Sequence, residues 1–211
     1  PLRVGVLYHA PGRDPDPDCA AAVRRTADVL ADLGHEVVEA YPAALDETDF
    51  AAHYVSLIAV AGAQTVDGWS RRLGRELGED DVEPSNHLYA AFGRNTSGAK
   101  YLDDLGWLHG WSRRAARFWT PAEDGGEGFD LLLTPTLSRP PYRLGELVPD
   151  PADPGPVMSE IGAWVAFTSQ FNVTCQPAMS IPLHWTDDGL PVGTQLVGPA
   201  FGEGLLLALA T

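Results

Sequence analysis

Ser97-Gly98-Ala99-Lys100 sets a hydroxyl and the chain's sole lysine one helical turn apart. A serine three residues before a lysine is an arrangement for nucleophilic attack, because a neutral amine accepts the hydroxyl proton. The Ser-Asp-Asn and Lys-Thr-Gly segments that complete that machinery are missing from the sequence. The pair therefore reads as a polar helix start with an exposed lysine. Cys175, between Thr174 and Gln176, is the other nucleophile to weigh. A reactive thiolate needs an imidazole or a helix N-terminus beside it. His184 is set apart by a strand-like stretch and Pro182, so Cys175 reads as a buried or pocket-lining residue. There is no Gly-x-Ser-x-Gly elbow, no phosphate loop and no Gly-x-Gly-x-x-Gly turn after the first apolar run. Such patterns carry acyl-transfer and nucleotide chemistry. The histidines are dispersed without a His-Glu-x-x-His, and the two cysteines form no Cys-x-x-Cys, so neither a metal site nor a cofactor is expected.

The elements that would hold these residues follow from periodicity. Leu2–Tyr8 is a short apolar run rich in β-branched residues and predicts a buried strand. A turn-rich linker follows, with Pro11, Gly12, Asp14, Pro15, Asp16 and Pro17. Asp16 and Pro17 suit an N-cap and first helical position. Cys19, Val23, Thr26, Ala27, Leu30 and Leu33 recur at helical spacing, and Gly34 suits the stop. His35–Ala40 resumes as a strand, making a βαβ unit with parallel strands. From 49 to 119 the pattern is helical and reads as an insertion within one α/β domain spanning 1–211. Phe129–Thr134 predicts a strand ending at Pro135. Residues 137–156 form a Pro-rich loop, a length usually tied to function or mobility. Ser159–Gln170 suits a helix, Pro177–Leu183 and Val192–Val197 suit strands, and Trp185–Gly189 between them has Asp-Gly turn chemistry. Phe201–Ala210 opens a further helix.

The formal net charge is -15. That opposes binding to nucleic acid or to an anionic membrane, both of which need clustered Lys and Arg. No apolar run reaches the roughly 18 residues of a spanning helix. The first residues lack a basic stretch followed by an apolar one, so no secretory signal is read there. Two widely separated cysteines leave a disulfide open, with a reduced, cytoplasmic setting the simpler reading.

The tail adds a resemblance. Phe167-Thr168-Ser169-Gln170-Phe171-Asn172-Val173-Thr174-Cys175-Gln176-Pro177-Ala178-Met179-Ser180-Ile181-Pro182 is followed, after a turn, by Gly189-Leu190-Pro191-Val192-Gly193-Thr194-Gln195-Leu196-Val197-Gly198-Pro199. Together they resemble the C-terminal block of the amidase-signature family. Its pattern there is Phe-Asn-x-Thr-Gly-x-Pro-Ala, Ser-x-Pro, then Gly-Leu-Pro-x-Gly-x-Gln-x-x-Gly. Upstream, the strand–helix–strand start, the segment Ser97–Leu102 and Phe129–Thr136 resemble successive family segments in the right order. Gln176–Trp185 is similar to the branch acting on cyclic or linear aminohexanoate amides.

The resemblance implies a mixed, mostly parallel twisted sheet covered by helices. It implies an amide hydrolase in which a serine attacks the carbonyl and a second serine, on a cis peptide, relays its proton to a neutral lysine. Those groups belong to the family's N-terminal half, so no residue here is carried over as catalytic. The expectation is a C-terminal portion that is inactive alone, partnered by that half and by a small-molecule amide. An apolar face exposed by such a division predicts self-association into a homo-oligomer. The substrate side does carry over: Thr134 and Pro135 at a strand end near the acyl pocket, and Phe171, Asn172, Thr174 and Cys175 in a turn forming its wall. Cys175 stands where the family usually has Gly, which implies positive φ or close backbone approach. The alternative is a non-catalytic binding or interaction module that reuses the fold.

Overall fold

A computed structural model describes residues 1–10, 14–78, 80–150 and 153–210. Pro11 and Gly12 of the expected linker, and Pro151 of the Pro-rich loop, lie outside the described residues. The chain divides into two compact units.

The first unit comprises Pro1–Glu47, Ser112–Leu144 and Gly162–Thr211. It carries a five-stranded sheet of order β2-β1-β3-β5-β4, with β1 at Arg3–Val6, β2 at Glu36–Glu39, β3 at Leu131–Pro135, β4 at Ala178–Trp185 and β5 at Pro191–Val197. The sheet is mixed, as expected. Its parallel pairings are confined to β2-β1-β3, and β3-β5-β4 is antiparallel. The antiparallel half arises because β4 and β5 are joined by a short turn. Gly189 enters it at φ 81°, the Thr186 hydroxyl accepts from Leu190 N at 3.0 Å, and Thr186 O accepts from Gly189 N at 2.9 Å.

Helix α1, Pro17–Asp32, starts as the sequence predicts. Asp16 Oδ1 accepts from Asp18 N at 2.9 Å, Pro17 occupies the first turn, and Gly34 follows the C-cap at φ 87°. Its Val23, Ala27 and Leu30 join Val4, Val6, Leu131, Leu133, Leu196 and Leu206 in one core. The Leu206 side chain comes from α7, Glu203–Leu209. One polar contact is buried in this layer. Thr26 Oγ1 lies 3.0 Å from Thr194 Oγ1 and donates to Ala22 O, so neither hydroxyl is left without a partner. On the opposite face Phe118 and Phe129 stack with centroids 4.3 Å apart. Gly5 is required beneath them, since a Cβ there would sit 2.4 Å from the Phe118 ring and 2.5 Å from Ala40 O. β3 is buried at every position, which is why its sequence reads as a continuous apolar run.

The second unit comprises Thr48–Trp111 and Gly145–Ile161. Helices α2 (Phe50–Leu73) and α3 (Pro84–Asn95) form its hairpin around Ala59, Ala63, Val66, Ala90 and Gly93. Gly93 lets the backbones meet, because a Cβ there would be 2.1 Å from Ala59 O. Helix α4, Gly98–Ala116, ends before Trp119, which the helical periodicity had included. Trp119 instead sits in a turn and donates from Nε1 to Val197 O. The Pro-rich loop gives way to helix at Gly155, so α5 is Gly155–Trp164, and a separate α6 covers Ser169–Thr174. Among the described residues no helix is long and apolar enough to cross a membrane.

Candidate functional site

In the order β2-β1-β3, the chain leaves β1 for β2 on one side and reaches β3 on the other. The crevice outside the carboxyl ends of β1 and β3 is therefore a topological switch point, where open α/β sheets bind ligands. A crevice opens there, lined by Leu7, Ala10, Leu45, Thr134, Ala166, Phe167, Gln170 and Phe171. Its volume is about 10 Å³. That holds one water at most and is too small for an amide substrate. Clefts of about 440 and 500 Å³ run along α2 in the helical unit. Their lining is chiefly polar and charged, including Asp67 and Arg94, which pair at 2.6 Å. The smaller crevice has the apolar walls and strand-end position of a ligand site.

The structure brings two of the six sequence-derived pocket residues to this crevice, Thr134 and Phe171. Thr134 is fully buried. Its hydroxyl donates to Pro135 O at 2.7 Å and accepts from Gln195 Nε2 at 3.2 Å. The same Gln195 amide donates to Phe167 O at 2.8 Å, tying the wall segment to the sheet. Pro135 lies in β3, paired with Thr194, and does not line the crevice. Phe171, Asn172 and Thr174 were expected in a turn. They lie instead in α6, and only Cys175 is in the turn after it. The helix forms because Phe171 buries one face against Trp119, edge to face with centroids 6.5 Å apart. Asn172 is exposed, while the Thr174 hydroxyl is buried without a hydrogen-bond partner.

Cys175 takes φ 56°, ψ 28°, the left-handed conformation that a family glycine accommodates without steric cost. It is exposed, and its Sγ is 3.8 Å from Asn172 O. His184 turns to Asp18 at 3.4 Å, so it does not activate this thiol. Cys19 is buried, and burial with Asp16 and Asp18 nearby pushes its thiol up to about 12, which makes it inert.

Ser97 caps α4, its Oγ accepting from Lys100 N at 3.1 Å. Lys100 Nζ donates to Asp104 Oδ1, to which His53 Nδ1 also binds at 2.7 Å. Burial pushes the Asp104 carboxyl up. The bonds from Lys100 and His53, with the nearby Ser56 hydroxyl and the charge of Lys100, outweigh burial and hold it at about 2. The lysine is thus bound to a carboxylate and not poised over Ser97. Among the described residues no group of three or more His, Cys, Asp or Glu is placed to hold a metal ion.

Leu7, Ala10, Leu45, Ala166, Phe167 and Gln170 also line the crevice and were not among the sequence-derived pocket residues, although Phe167 and Gln170 stand inside the family block. Only the strand order places them at a switch point.

A model of the Amidase family matches residues 1–207. The chain belongs to the amidase family. It is 36% identical to 6-aminohexanoate-cyclic-dimer hydrolase of Pseudomonas sp. (strain NK87), over 99% of this chain and 43% of that enzyme. The Paenarthrobacter ureafaciens enzyme of the same name gives the same identity and coverage. A solved structure of 6-aminohexanoate cyclic dimer hydrolase complexed with substrate superposes with a TM-score of 0.86, covering 98% of this chain and 43% of that one. The chain thus spans less than half the length of these amidase relatives.

Proposed function

We propose that this chain is the substrate-side part of an amide-bond hydrolase. In this reading a serine, a cis-peptide serine and a lysine in an upstream half carry out the chemistry. The substrate class is cyclic or linear aminohexanoate amides. The observation that carries this is the 36% identity to 6-aminohexanoate-cyclic-dimer hydrolase, sustained over 99% of the chain. The engagement of Lys100 by Asp104 and of Ser97 as a helix cap agrees with a catalytic set outside these residues.

Thr134 and Phe171 line the crevice, and Pro135, Asn172, Thr174 and Cys175 border the wall that the upstream half, the principal partner, completes. The crevice seen here is its floor. Phe171 supplies apolar contact, and the Gln195–Thr134–Phe167 bonds hold the floor rigid. Cysteines without a disulfide fit a cytoplasmic setting.

Ammonia and amine release from primary, aryl and aminohexanoate amides tests the proposal, with the chain compared against the product of the same gene extended upstream. Turnover only in the extended product is the expected result. Hydrolysis by residues 1–211 that Ser97→Ala abolishes would overturn it. Inactivity of both proteins across the panel would favour a binding module.

A further inference from the structure

Beside the crevice lies a group of polar side chains that the amidase motifs do not include. His9 follows β1, Tyr41 follows β2, and Asp46 ends a 3-10 turn at Ala43–Asp46. Their chain neighbours Ala10 and Leu45 line the crevice. Tyr41 Oη donates to Asp46 Oδ2 at 3.1 Å. His9 Nε2 lies 3.3 Å from Tyr41 Oη and 3.8 Å from Asp46 Oδ1. The phenol has one proton, and it goes to Asp46, so His9 must donate from Nε2 to the phenol oxygen. The imidazole also meets the Tyr41 ring edge to face, with centroids 5.2 Å apart. Burial and the bond to Asp46 raise the Tyr41 pKa, which keeps the phenol a donor. Asp46 is thereby oriented by Tyr41, which His9 holds in turn.

The charge next to it is treated differently. Glu47 is neutralised by a two-pronged contact from Arg114, with Nε at 2.8 Å from Oε1. Among the described residues no Arg or Lys pairs with Asp46, whose side chain is half exposed. An oriented carboxylate without a fixed counter-cation therefore directly follows Leu45, which with Leu7, Ala10, Phe167 and Phe171 walls the crevice. An ammonium at the end of an unbranched hydrocarbon chain matches both features. In the pocket that the upstream half completes, methylene groups would lie over this apolar floor, and the cation would reach the carboxylate without being stripped of water.

We infer that His9, Tyr41 and Asp46 form a subsite for the terminal ammonium of a linear ω-amino acyl amide, with Asp46 as the specificity-determining residue. This rests on the amide-hydrolase reading and narrows it, since a cyclic amide has no ammonium to offer. Tyr41 and His9 are positioning residues that act through Asp46.

The test has two arms. In the first, the upstream-extended protein hydrolyses 6-aminohexanoyl 4-nitroanilide and hexanoyl 4-nitroanilide, which differ only in the ammonium. The wild type should prefer the amino substrate. Asp46→Asn should raise KM for it by about two- to fivefold, the range for a half-exposed ion pair, and by less for the hexanoyl substrate. Asp46→Glu should restore part of the preference, and Tyr41→Phe should lose a smaller part. Equal effects on both substrates, or no preference in the wild type, would overturn the inference. The second arm titrates residues 1–211 with hexylammonium and with hexanol by calorimetry. Hexylammonium should bind more tightly, and Asp46→Asn should abolish the difference. If neither anilide is hydrolysed, the amide-hydrolase reading fails, and this arm decides the ammonium subsite on its own: equal binding of the two probes overturns it.

Discussion

The two units bury polarity in opposite ways. In the sheet unit the interior is aliphatic and aromatic, and Val4, Leu131, Leu132, Leu133 and Val197 are wholly buried. Its most deeply buried threonines and Gln195 are neutral and bond one another, as in the Thr26–Thr194 and Gln195–Thr134 contacts. In the helical unit an ionised carboxylate, Asp104, is buried and takes two partners, the Lys100 ammonium and the His53 imidazole, while an indole stacks on the imidazole at 4.2 Å. The hairpin beside it relies on small residues and one glycine contact. A neutral interior has little dependence on pH, whereas a buried ion pair depends on both partners remaining charged. The sheet unit can therefore keep its crevice fixed over a wide pH range, and the helical unit should loosen first in acid.

Core truncation should break this contrast most strongly. Leu132→Ala removes a fully buried side chain between Gly5 and Val197, and the expected loss is about 3 kcal/mol in urea unfolding. Loss of less than about 1 kcal/mol would mean the sheet core is not the rigid region described.

Gly93→Ala places a Cβ against the Ala59 carbonyl and must push α3 from α2, costing about 2 kcal/mol. Hydrogen exchange should rise in 50–95 and stay unchanged across β1, β3 and β5. Protection lost equally in the strands would show the two units unfolding as one.

Asp104 sharpens the comparison. Its carboxyl is held at about 2, below the ordinary carboxylate range. The native state therefore binds fewer protons than the unfolded chain in that window. The stabilisation is complete above about pH 4 and disappears as pH falls towards 2, on the order of 2 kcal/mol in all. Asp104→Asn should remove the acid-sensitive slope as well as lower stability at neutral pH. A slope between pH 4 and 2 unchanged in the variant would assign the acid response elsewhere.

The smallest effect concerns the site. Cys175→Gly should be neutral or stabilising by up to about 1 kcal/mol, because the left-handed backbone is strained for cysteine and free for glycine. Cys175→Val should lose about 1–2 kcal/mol. A destabilised glycine variant would show that the thiol makes contacts worth more than the strain.

Much of the secondary structure was legible. Asp16, Pro17 and Gly34 bound α1 through capping and conformational preferences that act within a few residues. The Asp-Gly turn chemistry of Trp185–Gly189 likewise marked the junction between β4 and β5. The segment Phe171–Thr174 was misread as a turn because its helix has only 6 residues and is held by the Phe171–Trp119 contact across the fold. Trp119 was placed on a helix for the reverse reason: its spacing fits, but burial against Val197 pulls it into a turn.

The sequence alone established the family through residues 167–199, the parallel βαβ start, and the expectation of a glycine-like backbone at Cys175. These rest on local rules and on a contiguous motif. Tertiary structure decided the order β2-β1-β3-β5-β4 and hence the switch point. It also turned Lys100 toward Asp104 and brought His9, Tyr41 and Asp46 together. Strand order and side-chain pairing depend on which distant surfaces bury each other, and a one-dimensional pattern does not carry that information.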